Sequence, residues 1–351
     1  MTPDRAILAG PFTSPAVAVV IVNYRTPDLT VDCLRSLAPE VAATPGGAAV
    51  LVTDNASGDG SAERIAAAIR DNGWADWASL IPLPRNGGFA YGNNAAIREA
   101  LCWPQPPRYV LLLNPDTLVR PGAVRELAAF LDAHPRAGIA GSRLEFPDAT
   151  PQSAAFRFPS ILSELDAGLR IGLVTRLLAN VIVAPPPPPD ARRTDWVSGA
   201  SFMVRREVLE SVGLLDEGYF MYYEELDLCL RASRAGWECW HVPASRVVHL
   251  IGQSSGINTP DKPRKRMPAY WFESRRRYFL KNHGWPYAAA ADAARIATFA
   301  AWRLGRALLR RPDPDPPHLL GDFVRHSVLG QWPDGPRDKA TSIPAASGKP
   351  A

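Results

Sequence analysis

YVLLLNPDTLVRPGAVREL, Tyr109–Leu127, decides the fold. Its first five residues are all apolar. They lack the alternation of a strand with one wet face, so they predict a strand buried on both faces. Strands of that kind belong to sheets covered by helices on both sides, and Pro121 opens the next helix. Between strand and helix stands the polar triplet Asn114-Pro115-Asp116. In open α/β sheets ligands bind beyond the carboxyl ends of the strands, which makes this triplet a candidate site.

Toward the N-terminus the same pattern recurs. AVAVVIV (Ala16–Val22) is a continuous β-branched run, followed by a helix with Thr26 as N-cap and Pro27 at its first position. AAVLVTD (Ala48–Asp54) reads as a strand, Ser61 caps a helix over Ala62–Arg70, SLIPL (Ser79–Leu83) is a weaker strand, and Ala90–Leu101 is a helix. Strand–helix alternation implies right-handed βαβ units and a mostly parallel sheet.

Toward the C-terminus the alternation lapses over residues 150–194, which hold a helix near Ile161–Leu178 and a polyproline run, Pro185–Pro189. Order resumes with a strand over Asp195–Val204 and a helix from Arg206. A second helix covers Glu224–Ala235, and WECWHV and SRVVHL form two short strands. The chain from Met267 reads as helical and basic. After Arg311 it is rich in Pro, Asp and Gly and reads as loose.

Of 351 residues, 46% are hydrophobic, enough for a large core and against general disorder. Cys33, Cys102, Cys229 and Cys239 form no CxxC pair and suggest reduced, buried thiols. The first apolar run, Ala16–Val22, is far too short to span a bilayer, so the expectation is a soluble protein or one lying on a membrane surface. The net charge of +4 is unevenly spread. Thirteen Lys and Arg stand against two acids between Lys262 and Arg311, a local net of +11, which leaves −7 on the rest. A basic segment on an acidic body points to an anionic surface.

The predicted strands end in polar side chains: Asn23-Tyr24, then Asp54-Asn55, then Arg85 through Asn94, then Asn114-Pro115-Asp116. Turn chemistry explains any one of them; four in succession favour a site. Asp54 can accept from a base N–H, and Tyr24 offers a ring. The glycine-bearing loop from Asn86 leads into a helix whose amides can face a diphosphate. It matches neither GxGxxG nor a P-loop. Asp116, on a proline-stiffened turn, suits Mg²⁺ or Mn²⁺. A second group, Glu224, Glu225 and Asp227, packs three carboxylates at a predicted helix start. Adjacent carboxylates raise each other's pKa and poise one as a general base. His249, at the end of a strand, is a second metal ligand if it lies beside Asp116.

These stretches resemble the inverting GT-A glycosyltransferases of family 2. The rhamnosyltransferase-like branch, which builds bacterial cell-surface polysaccharides, is the nearest in pattern. The stretches that carry the resemblance run from about Val17 to Ser255 and include VAVVIVNYRTPDLTVDCLRSL, VTDNASGDGS, LPRNGGFAYGNNAAI, YVLLLNPDTLVRPGAVREL, the long segment WVSGASFMVRREVLESVGLLDEGYFMYYEELDLCLRASRAGW and SRVVHLIGQSS. The resemblance implies a Rossmann-like α/β fold with a mostly parallel central sheet flanked by helices; beyond it, Arg295, Arg303, Arg306 and Arg310 fall near one face of a C-terminal amphipathic helical extension. It implies donor contacts from Asn23, Tyr24, Asp54, Asn86, Asn94, Asn114 and Asp116. The metal ligands would be Asp116 and His249, and the catalytic base one of Glu225, Glu224 and Asp227. The family's acidic pair usually ends in Asp where this chain has Glu225, and its DxD element begins here with Asn114.

The expected organisation is a catalytic domain over 1–260, with a nucleotide-sugar half over about 16–146 and an acceptor half over about 150–260. A basic amphipathic membrane-associating segment follows over 261–311, then a flexible tail over 312–351. The expected partners are a nucleoside-diphosphate sugar (dTDP-rhamnose by resemblance), a glycan or lipid-linked acceptor, and the anionic inner face of the plasma membrane. No recognised nucleic-acid module accompanies the charge. Two other classes compete. A sugar nucleotidyltransferase would need a Gly-rich basic N-terminal loop, which is missing. A binding or scaffolding protein with a decayed site is suggested by Asn114 and Glu225.

Overall fold

The computed structural model describes residues 14–250 and 265–330. The start of the chain, the residues following Leu250 and the last part of the tail lie outside the described residues.

The chain begins β1 (Val17–Asn23), α1 (Pro27–Ala43), β2 (Ala48–Asp54), α2 (Ser61–Asp71), β3 (Ala78–Pro82), α3 (Gly88–Leu101) and β4 (Tyr109–Leu113). It continues β5 (Thr117–Val119), α4 (Ala123–Ala133), β6 (Ala137–Glu145), β7 (Ala155–Phe156), α5 (Ile161–Leu169) and α6 (Gly172–Leu177). Then come β8 (Arg192–Thr194), β9 (Trp196–Val197), β10 (Ser201–Arg205), α7 (Arg206–Val212), α8 (Glu224–Arg234) and β11 (Glu238–His249). Three helices close the described chain: α9 (Ala269–His283), α10 (Trp285–Leu308) and α11 (Leu319–His326).

Nine strands form one sheet in the order β3-β2-β1-β4-β10-β6-β11-β5, with β8 on β11. The first four are parallel, β10 runs against both its neighbours, and β6 and β11 are parallel. The two faces of β1 show why the run had to be apolar throughout. Val17, Val19 and Ile21 pack with α1, α2 and α4, whereas Ala18 and Val20 pack with α3, α7 and α8. A polar residue anywhere in the run would be buried without a partner.

Several predicted boundaries shift. Ser61 is the first residue of α2, not its cap, and Asp59 accepts from its amide at 3.1 Å and its hydroxyl at 2.5 Å. Thr26 is the N-cap of α1, but its side chain makes no capping bond and turns to Asn23. The two short strands merge into β11, whose register slips between Val242 and Arg246. The helix near 161–178 breaks at Arg170, which adopts a left-handed φ of 53°. The strand over Asp195–Val204 is interrupted around Gly199. Of the cysteines, Cys102 is exposed and the other three are buried.

The largest departure is C-terminal. The chain after Arg311, read as loose, includes α11, whose Leu319 and Phe323 are buried with Phe272 and Phe299. The cations of the basic segment meet acids of the body. Arg277 and Lys281 bind Asp216, and Lys281 also binds Asp227. Arg275 lies between Glu164 and Asp292 with all three side chains buried. Helical periodicity alone does not show this, because charged partners sit on the surface the helices pack against.

Candidate active site

The parallel strands end together, and their last residues pair in register, Asn23 with Asp54 and Asp54 with Pro82. Asn23 is fully buried and fully bonded. Its amide donates to Asp54 Oδ1 at 2.7 Å, and its Oδ1 accepts from the Thr30 hydroxyl at 2.9 Å. Asp54 also accepts from the Ser57 hydroxyl at 2.6 Å and the Ser57 amide at 3.1 Å. These two residues therefore shape the strand-end loops through each other. Tyr24 next to them is half-exposed, with the Arg25 guanidinium 5.1 Å from its ring centre.

Asn55 joins this floor to the glycine loop, donating to Asn86 Oδ1 at 3.1 Å and to the Gly88 carbonyl at 3.0 Å. Gly88 has a φ of +88°, and a Cβ there would stand 2.0 Å from the Phe220 carbonyl oxygen. The next amide, Phe89 N–H, donates to that same oxygen at 2.7 Å. The glycine is thus required by a backbone-to-backbone approach that brings the loop before α8 onto the nucleotide-side loop. Asn94 stands apart from this group. Its side chain is buried and bonds to both main-chain groups of Leu215 and to Glu217, so it fixes α3 rather than facing a donor.

The next strand end carries the two expected metal ligands. β5 pairs with β11 so that Thr117 faces His249, and His249 Nε2 lies 3.6 Å from Asp116 Oδ1. The buried Glu145 holds this corner by pairing with Arg120 and Arg246, and Gln152 donates to the His249 carbonyl at 2.8 Å. A buried carboxylate and an imidazole nitrogen this close can share one divalent cation. Among the described residues no group of three or more His, Cys, Asp or Glu is arranged so that it could hold a metal ion. Such a pair suits a cation that draws its remaining ligands from water and substrate phosphate. Behind the turn, burial pushes the Cys33 thiol up to about 12, which keeps it a neutral, inert packing group.

The carboxylate group divides by environment. Asp227 is saturated: it accepts from the Tyr219 hydroxyl, Asn282, Arg231 and Lys281 at 2.8–3.2 Å. Burial alone would raise its pKa, but these donors outweigh burial and hold it below the ordinary aspartate value. It is a structural anion tied to α9, and the expectation of it as a base is corrected. Glu224 and Glu225 differ from it. Burial raises both, and the charge of Glu225 raises Glu224 further. Glu225 Oε1 accepts from the Gly199 amide at 3.3 Å, while its Oε2 is buried with no hydrogen-bond partner. Glu224 Oε2 is also without one.

The backbone links this glutamate to the strand end that bears Asp116. Asn114 N–H donates to the Ala200 carbonyl at 2.9 Å, next to the Gly199 that holds Glu225. A Cβ at Gly199 would meet Glu225 Oε1 at 3.2 Å. Tyr222 and Tyr223, just before Glu224, both take left-handed φ values, 71° and 73°. Non-glycine residues in that region cost on the order of 1–3 kcal/mol each and persist only where surroundings enforce them. Here they turn the chain so that α8 starts with its glutamates pointing inward.

Comparison with known proteins bears on the family and the fold. The family model for glycosyltransferase-like family 2 matches residues 15–279. A Mycobacterium tuberculosis N-acetylglucosaminyl-diphospho-decaprenol L-rhamnosyltransferase is 31% identical over 229 residues, 63% of this chain and 73% of that protein. The Shigella flexneri dTDP-rhamnosyl transferase RfbF is 29% identical over 185 residues, 52% of this chain and 56% of that one. Among solved structures, a Pyrobaculum calidifontis mannosyltransferase in complex with GDP-Man and Mn²⁺ shares the fold with a TM-score of 0.52 at 16% identity. That match covers 92% of this chain and 89% of that one.

Proposed function

The chain belongs to glycosyltransferase family 2, and from that premise we propose that it moves L-rhamnose from dTDP-rhamnose to a polyprenyl-diphosphate-linked saccharide with inversion at the anomeric carbon. The observation that supports the chemistry best is Glu225. It is a buried carboxylate with one oxygen held by Gly199 and the other unpartnered, joined through Ala200 to the strand end bearing Asp116. Its raised pKa fits a base that takes a proton from the acceptor hydroxyl. The deprotonated oxygen attacks the anomeric carbon, the glycosidic bond to the nucleoside diphosphate breaks, and the diphosphate leaves from the opposite face. Asp116 and His249 would hold a divalent cation, which when bound supplies charge stabilisation to the departing diphosphate.

The same reading places the protein at the inner face of the plasma membrane. Among the described residues no helix is long and apolar enough to cross a membrane. Leu173 and Leu177 on α6 and Leu304, Leu308 and Leu309 at the end of α10 are well over half exposed. Arg170, just before α6, packs 4.5 Å from the Trp302 ring centre, so both groups lie at one end of the molecule. Arg176, Arg310 and Arg311 are exposed nearby in sequence. Apolar side chains interleaved with arginine fit an anionic lipid interface.

Glu225→Gln and Asp116→Asn, assayed for transfer from dTDP-rhamnose and from UDP-sugars, test the assignment. A loss of about 10²–10⁴-fold is expected for Glu225→Gln. Undiminished transfer by both variants refutes it.

A further inference from the structure

The C-terminal helices reach the candidate active site. A cavity of about 280 Å³ has Glu225 in its wall, and around it stand Trp196, Tyr222, Trp271, Glu164 and Arg295. Trp271 comes from α9 and Arg295 from α10, so the segment that looked like a membrane device closes this cavity. The size is at the lower edge of small-ligand sites (about 300–1,000 Å³) and fits a sugar ring rather than a lipid chain.

Two polar atoms in this wall are buried without hydrogen bonds, Glu225 Oε2 and Arg295 Nε. Arg295 approaches Glu164 only to 3.9 Å, and Glu164 is already bonded to Arg275 at 2.9 Å. A buried guanidinium with an open donor is costly unless something accepts from it. The walls also say what that something is. Aromatic faces suit the apolar faces of a pyranose, and carboxylates accept from hydroxyls. Two acids, Glu164 and Glu225, disfavour a fully anionic group in the same space.

We propose that this cavity binds the acceptor's neutral saccharide ring, and that Arg295 donates to one of its oxygens and so sets acceptor affinity. This rests on the proposed transferase reading but makes a separable claim. It concerns which face of the protein takes the acceptor, not the chemistry.

The test uses the full chain and two ligands titrated by calorimetry with Mn²⁺ present: dTDP-rhamnose, and N-acetylglucosaminyl-diphospho-farnesol as the acceptor probe. Arg295→Met and Trp271→Ala are expected to weaken the acceptor probe at least tenfold and to leave dTDP-rhamnose within twofold. Arg295→Lys, which keeps a donor, should recover part of the loss. Thermal melts identify any variant that fails to fold, and Ser163→Leu, which intrudes on the cavity from its wall, then serves as an independent perturbation with the same expected loss of probe affinity. Unchanged probe affinity in these variants overturns the proposal, as does a wild-type protein that binds no probe. Inorganic pyrophosphate that competes with the probe in wild type but not in Arg295→Met also overturns it, by making Arg295 an anion site. Binding that follows the expected pattern without any sugar transfer would instead refute the transferase reading.

Discussion

Replacing Arg275 with Met separates two views of the C-terminal segment. Arg275 is 5% exposed at its side chain, between Glu164 at 10% and Asp292 at 4%. It donates to both, and Asp292 also accepts from the Val328 amide at 2.7 Å. Methionine fills similar volume but leaves two buried carboxylates facing each other's region without their cation. Arg295 offers only a partial replacement, 3.9 Å from Glu164. Breaking a buried pair by deleting one partner costs about 3–5 kcal/mol. At roughly 2–4 °C per kcal/mol for a domain of this size, the melting point should fall by about 6–20 °C. The triple change Arg275→Met, Glu164→Gln, Asp292→Asn removes all three charges, and most of the loss should return. Urea unfolding followed by circular dichroism measures both. A single variant within about 1 kcal/mol of wild type, or a triple variant no better than the single, would refute the view that α9 and α10 are welded to the body through this cluster.

Gly88→Ala should lower kcat/KM more than tenfold and destabilise the fold by about 2 kcal/mol or more, since its Cβ meets a backbone oxygen at 2.0 Å. Gly47→Ala, at a similar φ of +76° with nothing within 4 Å, should cost only about 1 kcal/mol, and equal effects in a denaturation series would discredit the close-approach argument. The pH profile of kcat should rise with ionisation of Glu225 through a midpoint above the ordinary glutamate value of about 4.3, because burial raises this group; an acid limb at or below that value excludes it as the base. Asp227→Asn should lose about 3 kcal/mol near neutrality. The folded-state pKa of Asp227 is depressed, so its contribution is present above the unfolded value and fades as pH falls through the folded one. The variant and wild type should therefore converge in stability in acid, and a constant gap across pH would sink the ion-network account.

What could be read from the sequence was governed by range. The buried strands and their polar ends were legible because a run such as Val17–Val22 is a local pattern with one physical meaning, and the sheet then brings Asn23 beside Asp54 whatever else happens. The approach of His249 to Asp116 was legible only as a condition, since it depends on β5 pairing with β11. Roles set by distant partners were not legible. Asp227 looks like its neighbours Glu224 and Glu225 in sequence, and its donors distinguish it: Tyr219, Arg231, and Lys281 and Asn282 on α9. Asn94 resembled a loop ligand until Leu215 claimed both ends of its amide. Glu164 and Trp196, which line the cavity, belong to or border the stretch where periodicity lapsed.

Charge is where local reading misled most, and correcting it changes how the active site is understood. A stripe of arginines and an acidic body look like a membrane anchor beside an enzyme. Folded together, Arg277 and Lys281 neutralise Asp216, Lys281 and Arg231 fix Asp227, and Arg275 fixes Glu164. Asp227 lies two residues beyond Glu225 on the first turns of α8. Lys281 of α9 therefore helps hold in place the helix that carries Glu225, the proposed base. Glu224 and Glu225 receive none of these cations, and the two carboxylates left without a cation beside a paired Asp227 are the ones that keep raised pKa values. The basic segment acts on the fold by what it pairs with and by what it leaves unpaired: its cations tie α9 to the body, and Glu224 and Glu225 stay outside those pairs.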